Sequence, residues 1–136
     1  MEYIQVREYG ELPEIGQRAP FKAVLAVENA VSRERQREVA DWLVAMGGMY
    51  IMVCGQDCES WQHAIRHANL ERVPLDDMQP QQFVMITMHM YEKLRGVFRY
   101  ASKHARHTHL KLDNLLTVHI ANQNRELEYQ NLFGKR

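Results

Sequence analysis

Four short apolar runs show almost no polar alternation: FKAVLAVE (21–28), MYIMVCG (49–55), FVMITMH (83–89) and LLTVHIA (115–121). A strand with one wetted face alternates apolar and polar residues, whereas a strand covered on both faces does not. Between the runs the spacing becomes helical. Val39, Trp42, Leu43 and Met46 follow i, i+3, i+4, i+7. So do Trp61, Ala64, Ile65 and Ala68, and in a third segment, 91–106, Leu94, Val97, Phe98 and Ala101. The order β-α-β-α-β-α-β predicts a three-layer α/β fold, a mainly parallel four-stranded sheet with helices on both faces. Right-handed crossovers would make it doubly wound. YIQVREY (3–9) leaves a fifth, edge strand or a packed arm open.

Local signals set the boundaries. Ser32 is expected to cap the first helix, Gly47–Gly48 to end it, and Asp57 to cap the second. VPLDDMQPQQ (73–82), with two prolines and two aspartates, reads as a loop. At 136 residues the chain is expected to form one domain, 1–136. Its core covers about 20–121, flanked by an N-terminal arm (1–19) and a C-terminal tail (122–136), a short helix or a frayed end. The apolar runs are far shorter than the roughly 20 residues of a membrane helix. The acidic, polar MEYIQVREYGELPE does not read as a secretory signal, and the expected location is the cytoplasm, with both cysteines reduced.

In an open parallel sheet, ligands bind beyond the carboxyl ends of the strands, near the point where the strand order reverses. That rim collects Glu28, Cys54, Cys58, His89, Glu92 and His119. Cys58 at the first helical position would have its thiolate favoured by the free N–H groups there, with His89 or His119 as base and Glu28 as orienter. Asp57 and Glu59 beside it oppose a thiolate, so buried packing is the leading reading of the thiol. A zinc clip from Cys54, Cys58, His89 and His119 lacks the local pairing of ligands such sites show. His63 and His67, four apart on the second helix, read as a solvated face. No metal is predicted. With no GxGxxG, no phosphate-loop motif and no GxSxG elbow, no cofactor is predicted either.

Net charge is zero, but its distribution is uneven. Lys93, Arg95, Arg99, Lys103, Arg106 and Lys111 fall in a stretch without an acid, leaving 11 bases against 17 acids elsewhere. One basic face on an acidic body suits an anionic partner.

With Glu28, CGQDCESW, MHMYE and VHIAN in view, the chain resembles a small uncharacterised bacterial α/β family without assigned activity. The resemblance rests on Gly55, Cys58, Trp61, His89, Glu92, His119 and Ile120 and covers about residues 20–121. Where that family places an acid directly after the histidine, this chain has HMYE.

The expected function is that of a non-enzymatic bacterial interaction protein, regulatory or immunity-like, binding through Arg95, Arg99, Lys103 and Arg106. Its expected partner is a protein, acidic in character, with nucleic acid ranked behind it, no membrane, and a homodimer at the base rate for small proteins. The alternatives are a small cysteine-dependent enzyme with Cys58 as nucleophile and a nucleic-acid-associated accessory protein.

Overall fold

The computed structural model describes all residues, Met1–Arg136. Five strands, β1 (Glu2–Val6), β2 (Phe21–Val27), β3 (Gly48–Gly55), β4 (Met85–His89) and β5 (Asn114–Ile120), form one sheet. Its order is β1-β5-β2-β3-β4, and every pairing is parallel. Four helices cover it: α1 (Arg33–Ala45), α2 (Cys58–Arg72), α3 (Leu94–Lys103) and α4 (Glu126–Gly134). The architecture is thus the three-layer α/β fold with a parallel sheet, in its five-stranded form. No helix is long and apolar enough to cross a membrane.

The two apolar cores lie on opposite faces. Alternate strand residues Ala23, Leu25, Val27, Ile51, Val53, Val118 and Ile120 pack with Val39 and Leu43 of α1 and with Trp61 and Ile65 of α2. Their neighbours Val24, Ala26, Met52 and Cys54 pack instead with Val97 and Phe98 of α3 and Tyr129 of α4. Both faces of the central strands are covered, which is why their sequences lack polar alternation. The path β2–α1–β3–α2–β4 moves outward along the sheet on the first face. From β4 it returns past β3 and β2 through α3 on the second face. Direction and face change together, so the three crossovers share one hand.

The ends are part of this body. β1 pairs along its whole length with β5, Glu2 opposite Leu116 through Val6 opposite Ile120. The loop after β1 is held on α1 by Arg35, which donates to the carbonyls of Arg7 and Gly10 (both 3.0 Å) and pairs with Glu38. Trp42 Nε1 donates to Pro13 O at 2.8 Å.

Ser32 caps α1, its hydroxyl accepting from Arg35 N at 3.0 Å. Gly47, at φ +101°, makes the left-handed turn that ends the helix. Asp57 differs from expectation. It occupies the cap position of α2 in the left-handed region (φ 56°), and its side chain makes no capping bond. Earlier in the same turn, Gly55 at φ +89° runs against Val27 O, where an added Cβ would sit 2.2 Å away, so only glycine fits. α3 starts at Leu94 and ends at Lys103, so Arg106 lies beyond the helix.

Candidate functional site

Register places Gln5, His119, Ala26, Cys54 and His89 in one row across the sheet, one residue per strand, all on the α3/α4 face near the carboxyl edge. The connections diverge to opposite faces at two points along this edge. β2 exits to α1 on one face while its neighbour β5 exits to α4 on the other; β3 exits to α2 while β4 exits to α3. Each of these reversals holds a histidine–glutamate pair.

At the β2/β5 reversal, His119 Nε2 is 2.8 Å from Glu28 Oε1 and its Nδ1 is 2.6 Å from the Tyr3 hydroxyl. Arg125, at the start of α4, donates from Nε and Nη2 to Glu28 at 2.9 and 3.2 Å, and from its backbone N–H to the Tyr3 oxygen at 2.9 Å. A carboxylate that accepts from Arg125 accepts from His119 as well. Nε2 therefore carries the proton, and Nδ1 accepts from Tyr3. The Arg125 bond holds the Glu28 carboxyl below its ordinary range, and burial lowers His119. His119 has no exposed surface, and Tyr129 lies over it with ring centroids 4.5 Å apart.

At the β3/β4 reversal, buried His89 pairs with Glu92 and bonds the Thr87 hydroxyl at 2.7 Å. Tyr100 packs edge-on at 4.6 Å and shares a 2.6 Å hydroxyl bond with Tyr50, whose phenol burial pushes up to about 12. Tyr100 is thereby engaged within the protein.

The thiols separate across the sheet. Cys54 is in the row with the histidines, buried, and desolvation pushes it up to about 12. Cys58 packs in the core of the other face, its Sγ against the carbonyls of Gly55 (3.5 Å) and Val53 (3.6 Å), and burial raises it too. Of the expected quartet, Glu28 and His119 come together; His89 is at the second reversal, between β3 and β4, and Cys58 faces the opposite way. The cause is chain parity, because the turn at Gly55 carries Cys58 onto the α1/α2 side. Neither thiol is joined to another, and no cluster of three metal-ligating side chains forms.

On the outer side of α3, Arg95, Arg99 and Lys103 follow i, i+4, i+8, and all are exposed, as are Lys93 and Arg106. None of the five is in an ion pair. Lys93, Arg95 and Arg99 border a groove of about 550 Å³ between α3 and α4, with Leu94 and Leu132 on its apolar side and Gly96 leaving room for neighbours. Tyr91, just before α3, is fully exposed and held in the left-handed region (φ 64°). For a non-glycine residue this costs on the order of 1–2 kcal/mol.

A family model for a domain of unknown function, DUF7684, matches residues 1–136. The chain belongs to this family. No curated protein and no solved structure matches it. The match agrees with the resemblance to an uncharacterised family and extends it to both ends, where β1 and α4 lie.

The sequence did not point to Tyr3, Arg125 or Tyr129. Each lies in a segment without clear periodicity, and their meeting depends on β1 and α4 flanking β5. The unpaired cations of α3, by contrast, were legible as a run without acids.

Proposed function

We propose that the protein is an interaction module whose α3 face docks an acidic segment of a partner protein. The observation that carries this reading is the set of exposed cations Lys93, Arg95, Arg99, Lys103 and Arg106, all without a carboxylate partner, beside the Leu94/Leu132 groove. A solvated helix in a chain with as many acids as bases would ordinarily lace its cations with i,i+4 acids. This helix has none. Arginine and tyrosine are the side chains that most often anchor interfaces, and Tyr91 stands at the end of the stripe. The fit is to a segment that combines carboxylates with one apolar side chain, the carboxylates meeting the guanidinium forks and the apolar group filling the groove. The reading sets this exchange in a bacterial cytoplasm, regulatory or immunity-like in character, and two unjoined thiols are in keeping with it.

Selection from a displayed random-peptide library tests it, followed by fluorescence anisotropy of the selected peptides. Peptides rich in Asp and Glu with a Leu or Phe are expected, and Arg95→Glu with Arg99→Glu should weaken them at least ~10-fold. Selected peptides without acidic enrichment, or binding that survives the double reversal, would overturn the reading. A DNA oligonucleotide of equal charge that binds more tightly, with log K falling linearly in log salt, would replace it with nucleic-acid binding.

A further inference from the structure

The outer surfaces of α1 and α2 enclose a second groove, of about 670 Å³, on the face opposite α3. Arg33 and Arg37, one turn apart, line it from α1; His63, Arg66 and His67 line it from α2. Gln36 and Ser60 meet across it, Gln36 Nε2 donating to Ser60 Oγ at 2.9 Å and Ser60 Oγ to Gln36 Oε1 at 3.1 Å.

No carboxylate lines the groove, although the same two helices carry Glu34, Glu38, Asp41, Glu59 and Glu71. Of these, Glu71 reaches the rim, 3.4 Å from His67 Nε2. Arg33, Arg37 and Arg66 are in no ion pair. Arg66 turns its guanidinium to residues outside the groove: Nη1 donates to Asn69 Oδ1 at 3.2 Å and the group lies 4.3 Å over the Phe83 ring. Arg33 and Arg37, like charges at i, i+4 on α1, repel one another, and an anion between them relieves that repulsion.

We infer that this groove binds a small molecule bearing a chain of phosphoryl groups. The planar fork of arginine matches phosphate oxygens in pairs, and two forks one turn apart on α1 suit linked phosphoryl groups better than a single one. The volume is that of a small-ligand site. Its apolar lining is limited to Ala64 and Leu70, with no Trp, Tyr or Phe to stack on a base, so the phosphate chain is the recognised part. Gln36, oriented by Ser60, keeps its second amide N–H as a neutral donor.

Isothermal titration of the full chain with inorganic triphosphate in ~50 mM salt tests the inference. One saturable site is expected, with affinity at least ~10-fold above that for sulfate. Arg33→Gln with Arg37→Gln, both exposed and checked for folding by circular dichroism, should lower the affinity at least ~10-fold, while Arg95→Gln with Arg99→Gln should change it less than ~2-fold. In the unaltered chain, amide chemical-shift changes should cluster on residues 33–37 and 60–70. Absence of binding, an equal loss from the α3 variant, or shifts centred on α3 would overturn the inference. A single-stranded oligonucleotide that outcompetes triphosphate would overturn it too, by assigning the groove to a polymer.

Discussion

His119 Nε2 and Glu28 Oε1 are 2.8 Å apart, joining β5 to β2 through a donor that has no exposed surface. A general base needs a free lone pair within reach of its substrate. Here one nitrogen of His119 donates to Glu28, the other accepts from Tyr3, and the ring is covered by Tyr129. The pair acts as a joint. Through Tyr3 and Arg125 it ties β1, β5, β2 and the start of α4 to one another. That matters for α4, which fully buries only Tyr129. At about 1.5–3 kcal/mol per large buried side chain, apolar burial alone holds it weakly.

Acid should loosen this joint. Burial places His119 below its ordinary 6.5, and Arg125 places Glu28 below its ordinary 4.5. The unfolded chain therefore binds more protons than the native one as pH falls through these values. The contributions of both groups are present above 6.5, that of His119 declines first, and that of Glu28 declines below 4.5. Melting temperature should fall steadily between pH ~7.5 and ~3.5, and Glu28→Gln should flatten the lower part of the curve. A curve for Glu28→Gln parallel to that of the unaltered chain would contradict this assignment.

Tyr3→Phe should destabilise the protein by about 1–3 kcal/mol, because one hydroxyl serves both His119 Nδ1 and the Arg125 N–H. Urea unfolding measures the loss. Amide exchange should quicken in residues 125–134 before it does in β2 or β3, since the bond lost is one that docks α4.

Two glycine substitutions should move stability in opposite directions. Gly55→Ala puts a Cβ 2.2 Å from Val27 O at φ +89°, so a loss of more than about 1 kcal/mol is expected. Gly96, inside α3, has nothing within 4 Å of an added Cβ, so Gly96→Ala should gain about 0.5–1 kcal/mol. Denaturant midpoints of the two variants decide the matter.

Both thiols should label slowly. Burial raises Cys54 to about 12 and raises Cys58 as well, so at pH ~8 little of either is thiolate. Reaction with a thiol reagent should be slow in the native protein and rapid in urea. Fast native labelling of Cys58 would show a thiol more open than its place in the α1/α2-side core allows.

What the sequence made legible follows from how local each signal is. The strands β2, β3 and β5 and the inner faces of α1, α2 and α3 rest on spacing within a few residues, and they stand where that spacing puts them. β1 was ambiguous because the short YIQV run carries little apolar weight, and α4 because it buries so little. The sides of the sheet were harder. Cys54 and Cys58 are four apart, yet the turn at Gly55 and the left-handed Asp57 place them on opposite faces. The groove beside Arg33 and Arg37 leaves no trace in local spacing, because it forms only where α1 and α2 pack side by side. Glu28 and His119, 91 residues apart, were brought to the same rim by topology alone, because strand ends converge whatever their separation.

The place of β5 has a consequence for how the chain is made. β5 is the last strand to be synthesised, yet it lies between β1 and β2, the first two. As the chain leaves the ribosome, β2, α1, β3, α2 and β4 can gather in the order they emerge. β1 has no strand to pair with until residue 120 is out, and β2 keeps an open edge until then. The sheet is completed by inserting its final strand into a waiting gap, a non-local step of the kind that slows folding. Until that moment a nascent chain offers an unsatisfied β2 edge to any extended segment nearby.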